Sequence, residues 1–268
     1  ESYNYLPLEA KKYIEDVYNE TGKVLLTEKN KKENTPYLNP VYIDYLSMAD
    51  EEQNAFGDIP MPVVVDYVKS DADIYTTTLP SSYDLRNVNG KNFITPVRNQ
   101  GDLGLCWAFS SAETVESYVL QKNDTSYETN PILISERQID YATSKDGISD
   151  YSNNKYKVFI NRSLGDGGNF YISTVLMASG VSAVNYNDFK AYNDKDLEKV
   201  ELSDTISYKK SVYELNSTID MPRLNLRAST GNLSEDEINT FTSYINLVKT
   251  NIMKYGAAYV STYMNSAC

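Results

Sequence analysis

The sequence predicts an α+β fold, because its apolar spacing indicates both long helices and a strand. Apolar and small residues recur at helical spacing over about 106–120, with acidic residues on the opposite side. A second strong helix start, a capping-box arrangement at Ser234, opens a helix predicted to run to Lys254. Alternating apolar residues over 200–208 indicate a strand.

Residues 100–110, at the start of the first helix, read Gln-Gly-Asp-Leu-Gly-Leu-Cys-Trp-Ala-Phe-Ser. Cys106 would lie in the first helical turn, where the helix dipole and unpaired N–H groups favour a thiolate and therefore a nucleophile. The amide of Gln100 would converge with the Cys106 N–H on a developing oxyanion. The alternative for an isolated cysteine is a buried small hydrophobe.

This stretch resembles the Gln-Gly-x-Cys-Gly-Ser-Cys-Trp-Ala-Phe-Ser motif of the papain-like cysteine peptidases. Further similar segments follow the family's order: Leu-Pro-Ser-Ser-Tyr-Asp-Leu-Arg at 79–86, Thr-Pro-Val-Arg-Asn-Gln at 95–100, Leu-Ile-Ser-Glu-Arg-Gln-Ile at 133–139 and Gly-Asp-Gly-Gly-Asn at 165–169. The resemblance implies that Cys106 is the nucleophile and Gln100 the oxyanion-hole glutamine. It also implies that Gly167 and Gly168 bind the substrate main chain.

The resemblance further implies the papain-like fold, with a helical left half that carries the nucleophile. Residues 255–263 resemble the strand that opens the β-rich right half. Further predicted helices cover 135–144 and 169–179. Leu103 and Asp166 stand where many family members carry a pair of disulfide-forming cysteines, so both halves of that bridge are absent together.

The chain contains no histidine to act as the catalytic base. In the family the histidine and an orienting asparagine follow the first strand of the right half. We therefore expect residues 79–268 to be a peptidase domain that is incomplete at its C-terminus, with both residues beyond Cys268. The competing interpretation is a degenerate homologue that binds without cleaving. The first is favoured because half a papain fold would leave a cleft-side face and a strand edge exposed.

Residues 1–78 are predicted to be a propeptide. Two amphipathic helices, over about 7–20 and 40–46, precede the start of a third at 49–52 and an extended connector over 61–78. This layout resembles that of a papain-type propeptide, which implies that the connector runs through the cleft and blocks it. We expect cleavage between Tyr67 and Leu79, where exposed polar chain is easily cut. An ordinary helical N-terminal domain is the alternative.

Composition excludes several classes of function. A net charge of -12 argues against nucleic acid or an anionic membrane as a partner, and no apolar run is long enough to span a bilayer. Two cysteines cannot form a disulfide framework. The acidic residues at 194–198 lack calcium-loop spacing, so neither metal nor cofactor is expected. The 24 tyrosines and the start at Glu1 are typical of an exported bacterial protein, secreted or held at the cell surface.

The function predicted from the sequence is therefore a cysteine endopeptidase that is made as a secreted zymogen and acts on peptide or protein substrates. A catalytically inactive surface binding protein on the papain scaffold is the main alternative. A third interpretation is an inhibitory fragment whose first 78 residues act on other peptidases.

Overall fold

The computed structural model describes residues 37–49, 52–53, 57–64, 78–144, 162–178, 183–188, 211–213, 215–221, 223–224 and 233–261. Within these ranges the arrangement is α+β, as predicted. The elements in chain order are β1 (Tyr37–Leu38), α1 (Pro40–Ser47), β2 (Val63–Val64), α2 (Cys106–Lys122), α3 (Glu136–Ala142), α4 (Phe170–Ala178), β3 (Ala183–Val184), β4 (Ser211–Tyr213) and α5 (Glu235–Tyr255).

Local capping explains where three of the helices begin. Asn39 accepts a hydrogen bond from the Val41 N–H at 3.1 Å, with a proline in the first turn of α1. Ser135 caps α3 in the same way. At α5, the Ser234 hydroxyl accepts from the Glu237 N–H while the Glu237 carboxylate accepts from the Ser234 N–H, which confirms the predicted capping box.

The predicted helices at 40–46, 106–120, 135–144, 169–179 and 235–254 all occur with bounds within two residues of those expected. Of the helix expected to begin at 49–52, helical residues are described at 52–53. The helix predicted for 7–20 and the strand predicted for 200–208 lie outside the described residues, as does most of the connector. Of the strand expected at 255–263, residues 256–261 pair with no strand among the described residues, and 262–263 lie outside them.

Helix α2 lies at the centre of the described structure, with α3, α4 and α5 packed against it. Trp107 and Leu120, near its two ends, are fully buried. They belong to one hydrophobic core that spans residues 93–183. Burial of large side chains of this kind stabilises a fold by roughly 1.5–3 kcal/mol each, so this core dominates the stability of the region.

Two short antiparallel sheets accompany these helices, and Ala183 of the second sheet belongs to the hydrophobic core. Strands β1 and β2 pair with Tyr37 opposite Val64, and β3 and β4 pair with Ala183 opposite Tyr213. The chain leaves α5 at Gly256, whose φ of 93° lies in the region that favours glycine. The Ala257 N–H then donates to the Ser117 hydroxyl of α2 at 2.9 Å. Ala257 is thereby attached to α2 through the Ser117 side chain.

Candidate active site

Cys106 is the first residue of α2, and its side chain is half-buried. The neighbouring Leu105 and Trp107 are fully buried, so the helix start is fixed in the core while Cys106 stays partly exposed. No side chain caps this end of the helix. The backbone N–H groups of Cys106 and Trp107 are thus left to stabilise negative charge on the sulfur.

The pKa of the Cys106 thiol is nevertheless raised above its ordinary value. Burial is the largest cause, followed by the negative charge of Asp58, and the two backbone N–H groups only partly offset them. The two backbone N–H groups at the helix start lower the pKa, in the direction predicted from the sequence. The predicted N–H interactions are present, but desolvation and a neighbouring carboxylate outweigh them.

Gln100, the expected oxyanion donor, lies in the loop before α2. Its side-chain amide donates to the Leu103 carbonyl at 2.7 Å. The loop turns at Gly101, where φ is 64° and the backbone N–H donates to the Asn99 side chain at 2.8 Å. The Gln100 amide is thus engaged within its own loop in this state, and its role in stabilising an oxyanion stays a prediction.

The glycine-rich segment 165–168 packs against the loop and the head of α2. The Gly104 N–H donates to the Gly165 carbonyl at 2.8 Å, and a Cβ on Gly104 would approach the Gly167 nitrogen to 3.0 Å. A Cβ on Gly168 would come within 2.4 Å of the Trp107 ring. Glycine is therefore required at 168 by packing, because Trp107 fills the space behind it.

The backbone of Gly168 is paired with residues 57–59 of the same chain. Its N–H donates to the Gly57 carbonyl at 3.2 Å, and its carbonyl accepts from the Ile59 N–H at 2.6 Å. Asp58 thus lies directly opposite Gly168 in a parallel bridge. The Asn169 side-chain amide adds a hydrogen bond to the Ile59 carbonyl at 3.2 Å. An extended segment from the N-terminal region occupies the surface predicted to bind substrate.

This same segment covers the candidate nucleophile. A Cβ on Gly57 would lie 2.7 Å from the Cys106 sulfur, which is closer than real Cβ atoms approach. Gly57 is therefore packed on the thiol, and only a residue without a side chain fits there. Gly168 and Cys106 are brought together by the fold, as the sequence predicts, and residues 57–59 lie over both.

Tyr259 completes the site and was not anticipated from the sequence. Its hydroxyl donates to the Asp58 carboxylate at 2.5 Å. Burial, followed by the hydrogen bond to Asp58 and the charge of Asp58, raises the pKa of this hydroxyl, which stays protonated. The two residues are 201 positions apart in the chain. No local pattern distinguishes them from the many other tyrosines and acidic residues.

A buried ion cluster holds the loop before α2 in place. The Arg98 guanidinium lies 3.0 Å from the Glu116 carboxylate of α2 and 2.8 Å from the Glu136 carboxylate of α3. Glu116 also accepts from the Ile134 N–H and from the Thr95 hydroxyl. Since Arg98 precedes Gln100 by two residues, this cluster positions the loop that leads to Cys106.

One guanidinium does not fully compensate two buried carboxylates. Burial raises the pKa of Glu136 to about 7, although the charge of Arg98 acts in the opposite direction. Burial likewise raises the pKa of Glu116 and of Glu113. The sequence placed the acidic residues of α2 on its outer side, but Glu116 is buried because α3 and the loop cover that side.

Neither a metal centre nor a membrane-spanning helix is found in the part of the chain that the structure describes. Its His, Cys, Asp and Glu side chains form no group of three or more suited to a metal ion. Within the same ranges, no helix combines the length and apolar character needed to cross a bilayer.

Comparison with known proteins defines the class. The model of the papain family of cysteine proteases matches residues 79–221, more than half of the 268 residues, and the chain belongs to this family. The papain-like α+β fold follows from this membership. All four residues of the candidate site predicted from the sequence lie within the matched range.

Two curated relatives match short stretches. Cathepsin K from Mus musculus is 42% identical over 53 residues, which is 20% of this chain and 15% of that protein. A cathepsin L-like proteinase from Phaedon cochleariae is 36% identical over 73 residues, 27% of this chain and 20% of that protein. The matched stretches thus span at most a fifth of these relatives.

Two solved structures are also similar. The digestive procathepsin L2 proteinase from the larval midgut of Tenebrio molitor has 18% sequence identity and a TM-score of 0.37, over 71% of this chain and 57% of that one. A structure from a study of the mite allergens Blo t 1 and Der p 1 has 17% identity and a TM-score of 0.39, over 76% and 55% of the two chains.

Proposed function

We propose that this chain carries the nucleophile half of a papain-family cysteine endopeptidase and is made as a zymogen. The observation that carries the proposal is the position of residues 57–59, which pair with the Gly168 backbone and cover the Cys106 thiol. An extended peptide held beside a thiol at a helix start is the arrangement that attack on a peptide carbonyl requires.

In the proposed reaction, the Cys106 thiolate attacks the carbonyl carbon of the scissile peptide bond. The Gln100 amide, once released from the Leu103 carbonyl, and the Cys106 N–H stabilise the oxyanion. The C–N bond breaks, the amine leaves with a proton from the general acid, and an acyl-enzyme remains. Water then hydrolyses the thioester and returns the thiol. Gly167 and Gly168 hold the substrate main chain during both steps.

The proton transfers need a base that the 268 residues do not contain, since the sequence has no histidine. We propose that residues beyond Cys268 supply the histidine and the asparagine that orients it. In this interpretation residues 79–268 form an incomplete peptidase domain. The raised pKa of Cys106 supports this proposal, because a base that accepts the thiol proton would be needed to form the nucleophile.

Residues 1–78 act as the propeptide in this proposal. Gly57 excludes substrate from the thiol by direct packing, and Asp58 disfavours the thiolate by its charge. Removal of the segment would therefore expose the Gly168 backbone and lower the pKa of the nucleophile together. Cleavage between Tyr67 and Leu79 would separate the propeptide from the body.

The protein's partners are proposed to be peptide or protein substrates and its own propeptide, with no nucleic acid because of the net charge of -12. A secreted or cell-surface location in a bacterium is proposed from the tyrosine-rich composition. Fractionation of the source cells with an antibody to residues 79–268 tests the location; a signal confined to the cytosol would contradict it.

A peptidyl epoxysuccinyl probe tests the peptidase proposal. The longest natural form, freed of residues 1–78, should be labelled stoichiometrically at Cys106, and Cys106→Ala should abolish the labelling. The form that retains residues 1–78 should react at least about tenfold more slowly, because the propeptide must first leave the thiol. Equal rates for the two forms would contradict the zymogen proposal. Turnover of a peptide amide at ordinary rates by the 268-residue chain alone would contradict the assignment of the base.

The absence of histidine favours one alternative, a catalytically inactive papain scaffold that binds at the cell surface. It predicts that the longest natural form, freed of residues 1–78, still binds extended peptides at Gly168 but neither reacts with the probe nor cleaves an amide. The same labelling experiment therefore separates the two functions.

A further inference from the structure

The side chain of the residue opposite Gly168 points to a defined place in this cleft, the Tyr259 hydroxyl. Asp58 is that residue, and its carboxylate accepts a hydrogen bond from the Tyr259 hydroxyl at 2.5 Å. In a paired strand, directly opposite residues project their side chains to the same face, whichever direction the strand runs. Any extended peptide that pairs with Gly168 therefore presents one side chain towards Tyr259.

The Tyr259 hydroxyl is a positioned donor. Its ring packs on Phe170 of α4, with ring centroids 5.8 Å apart and planes inclined at 43°. The backbone two residues earlier is fixed by the hydrogen bond from the Ala257 N–H to Ser117. The subsite thus combines an aromatic wall with the Tyr259 hydroxyl, which also interacts with the Ser261 side chain.

The charge of the side chain opposite Gly168 should differ between a covering segment and a substrate. Asp58 satisfies the hydroxyl, but its negative charge also raises the pKa of Cys106 and so disfavours the nucleophile. A side-chain amide would accept the same hydrogen bond without opposing the thiolate. An aliphatic side chain would offer the hydroxyl no acceptor and would leave it only the Ser261 side chain, with which it also interacts.

We propose that Tyr259 is a specificity-determining residue, whose hydroxyl selects peptides that carry a neutral hydrogen-bond acceptor, Asn or Gln, opposite Gly168. The inference rests on the proposed function, because it takes the surface covered by residues 57–59 to be the substrate cleft. Asp58 occupies the subsite as a charged counterpart of the preferred side chain.

Peptide binding tests this inference without catalysis. The propeptide-free form of the longest natural protein, carrying Cys106→Ala, is titrated with peptides that differ only by Asn, Gln or Leu at each of four successive positions. At one position Asn and Gln should bind about fivefold more tightly than Leu, the size of one neutral hydrogen bond. Tyr259→Phe should reduce this preference to within about twofold and leave the Kd of the Leu peptide unchanged. Tyr255→Phe, in the preceding turn, is the matched control and should preserve the preference.

The charge argument is tested in the intact chain. Asp58→Asn keeps the acceptor and removes the charge, so the pH midpoint of Cys106 alkylation by iodoacetamide should move to lower pH. An unchanged midpoint would overturn the preference for a neutral side chain.

Three results of the peptide titrations would overturn the role of Tyr259. They are equal affinity for Leu and Asn at every position, no peptide binding at all, and a preference that survives Tyr259→Phe. A different result is that Asn and Gln peptides bind more tightly than Leu peptides while the protein with Cys106 restored cleaves no peptide. That result would contradict the proposed function but support the subsite at Tyr259.

Discussion

Residues 37–64 and residues 78–188 are held in the molecule by different forces. In the second region the described side chains include a core with Leu105, Trp107 and Ile134 fully buried. In the first, among the described side chains, Asn39 alone is buried, and its amide bonds the Met61 carbonyl of the same region. Among the described residues, the N-terminal region contributes no side chain to this core and makes polar contacts with the body.

Those polar contacts converge on one place, the cleft. Backbone hydrogen bonds join residues 57–59 to Gly168, and single side-chain hydrogen bonds come from Asn169 and Tyr259. Hydrogen bonds contribute about 1 kcal/mol each, whereas the core contributes through many buried side chains. We therefore expect the segment to leave without unfolding the body, as its proposed role as a propeptide requires.

Gly168→Ala should have the largest effect on stability, because Gly168 pairs with residues 57–59 and also packs on Trp107 of the body. The new Cβ would come within 2.4 Å of the buried Trp107 ring, so either the ring or the segment must move. We expect the free energy of unfolding in urea to fall by about 3 kcal/mol. Gly90→Ala is the control: nothing lies within 4 Å of its added Cβ, and its φ of 80° limits the loss to about 1 kcal/mol. Equal losses of stability in the two variants would show that the Trp107 ring moves aside at little cost.

Acidification should stabilise the body, through Glu136. A carboxyl whose pKa is raised by folding stabilises the fold when protonated, so its contribution is complete below pH 4.5 and is lost as the pH rises through about 7. Over that pH interval the contribution of Glu136 to the free energy of unfolding changes by up to about 3 kcal/mol. Urea unfolding of the chain at pH 5 and pH 7.5 measures it, and Glu136→Gln should remove most of the difference.

Glu128→Gln is the matched control for this effect. Glu128 is exposed, and hydrogen bonds from Asn92 and Ser126 lower its pKa, so it stays ionised across the interval and should leave the pH dependence intact. A wild-type chain whose stability is the same at pH 5 and pH 7.5 would contradict the cost assigned to the buried Glu136 carboxylate.

The sequence predicted what depends on neighbours in the chain. The starts of α1 and α5 followed from Asn39 and Ser234, whose caps involve residues two or three positions away. The position of Cys106 at the start of α2 followed from helical spacing and from the motif. The need for glycine at 168 was expected from substrate binding, whereas the structure gives a second reason, the Trp107 ring behind it.

What the sequence could not predict depends on residues that meet across long separations. The Arg98 cluster joins residues 18 and 38 positions apart, and the contact of Asp58 with Tyr259 spans 201. The raised pKa of Cys106 is of the same kind, since its causes are burial and a carboxylate from the N-terminal region. Helix position alone predicted only the smaller, opposing contribution of the backbone N–H groups. Tertiary packing determined each of these features.

Gly57→Ala would affect the junction between the two regions and leave the body intact. Gly57 has a backbone conformation that alanine can adopt, yet its Cβ would lie 2.7 Å from the Cys106 sulfur. The segment must shift from the thiol, so we expect iodoacetamide to alkylate Cys106 about tenfold faster at neutral pH, with the same free energy of unfolding in urea. Ser47→Ala, an exposed change in the same region, should alter neither quantity. An unchanged alkylation rate would mean that the contact of Gly57 does not protect the thiol; a loss of stability would mean that the two regions unfold as one.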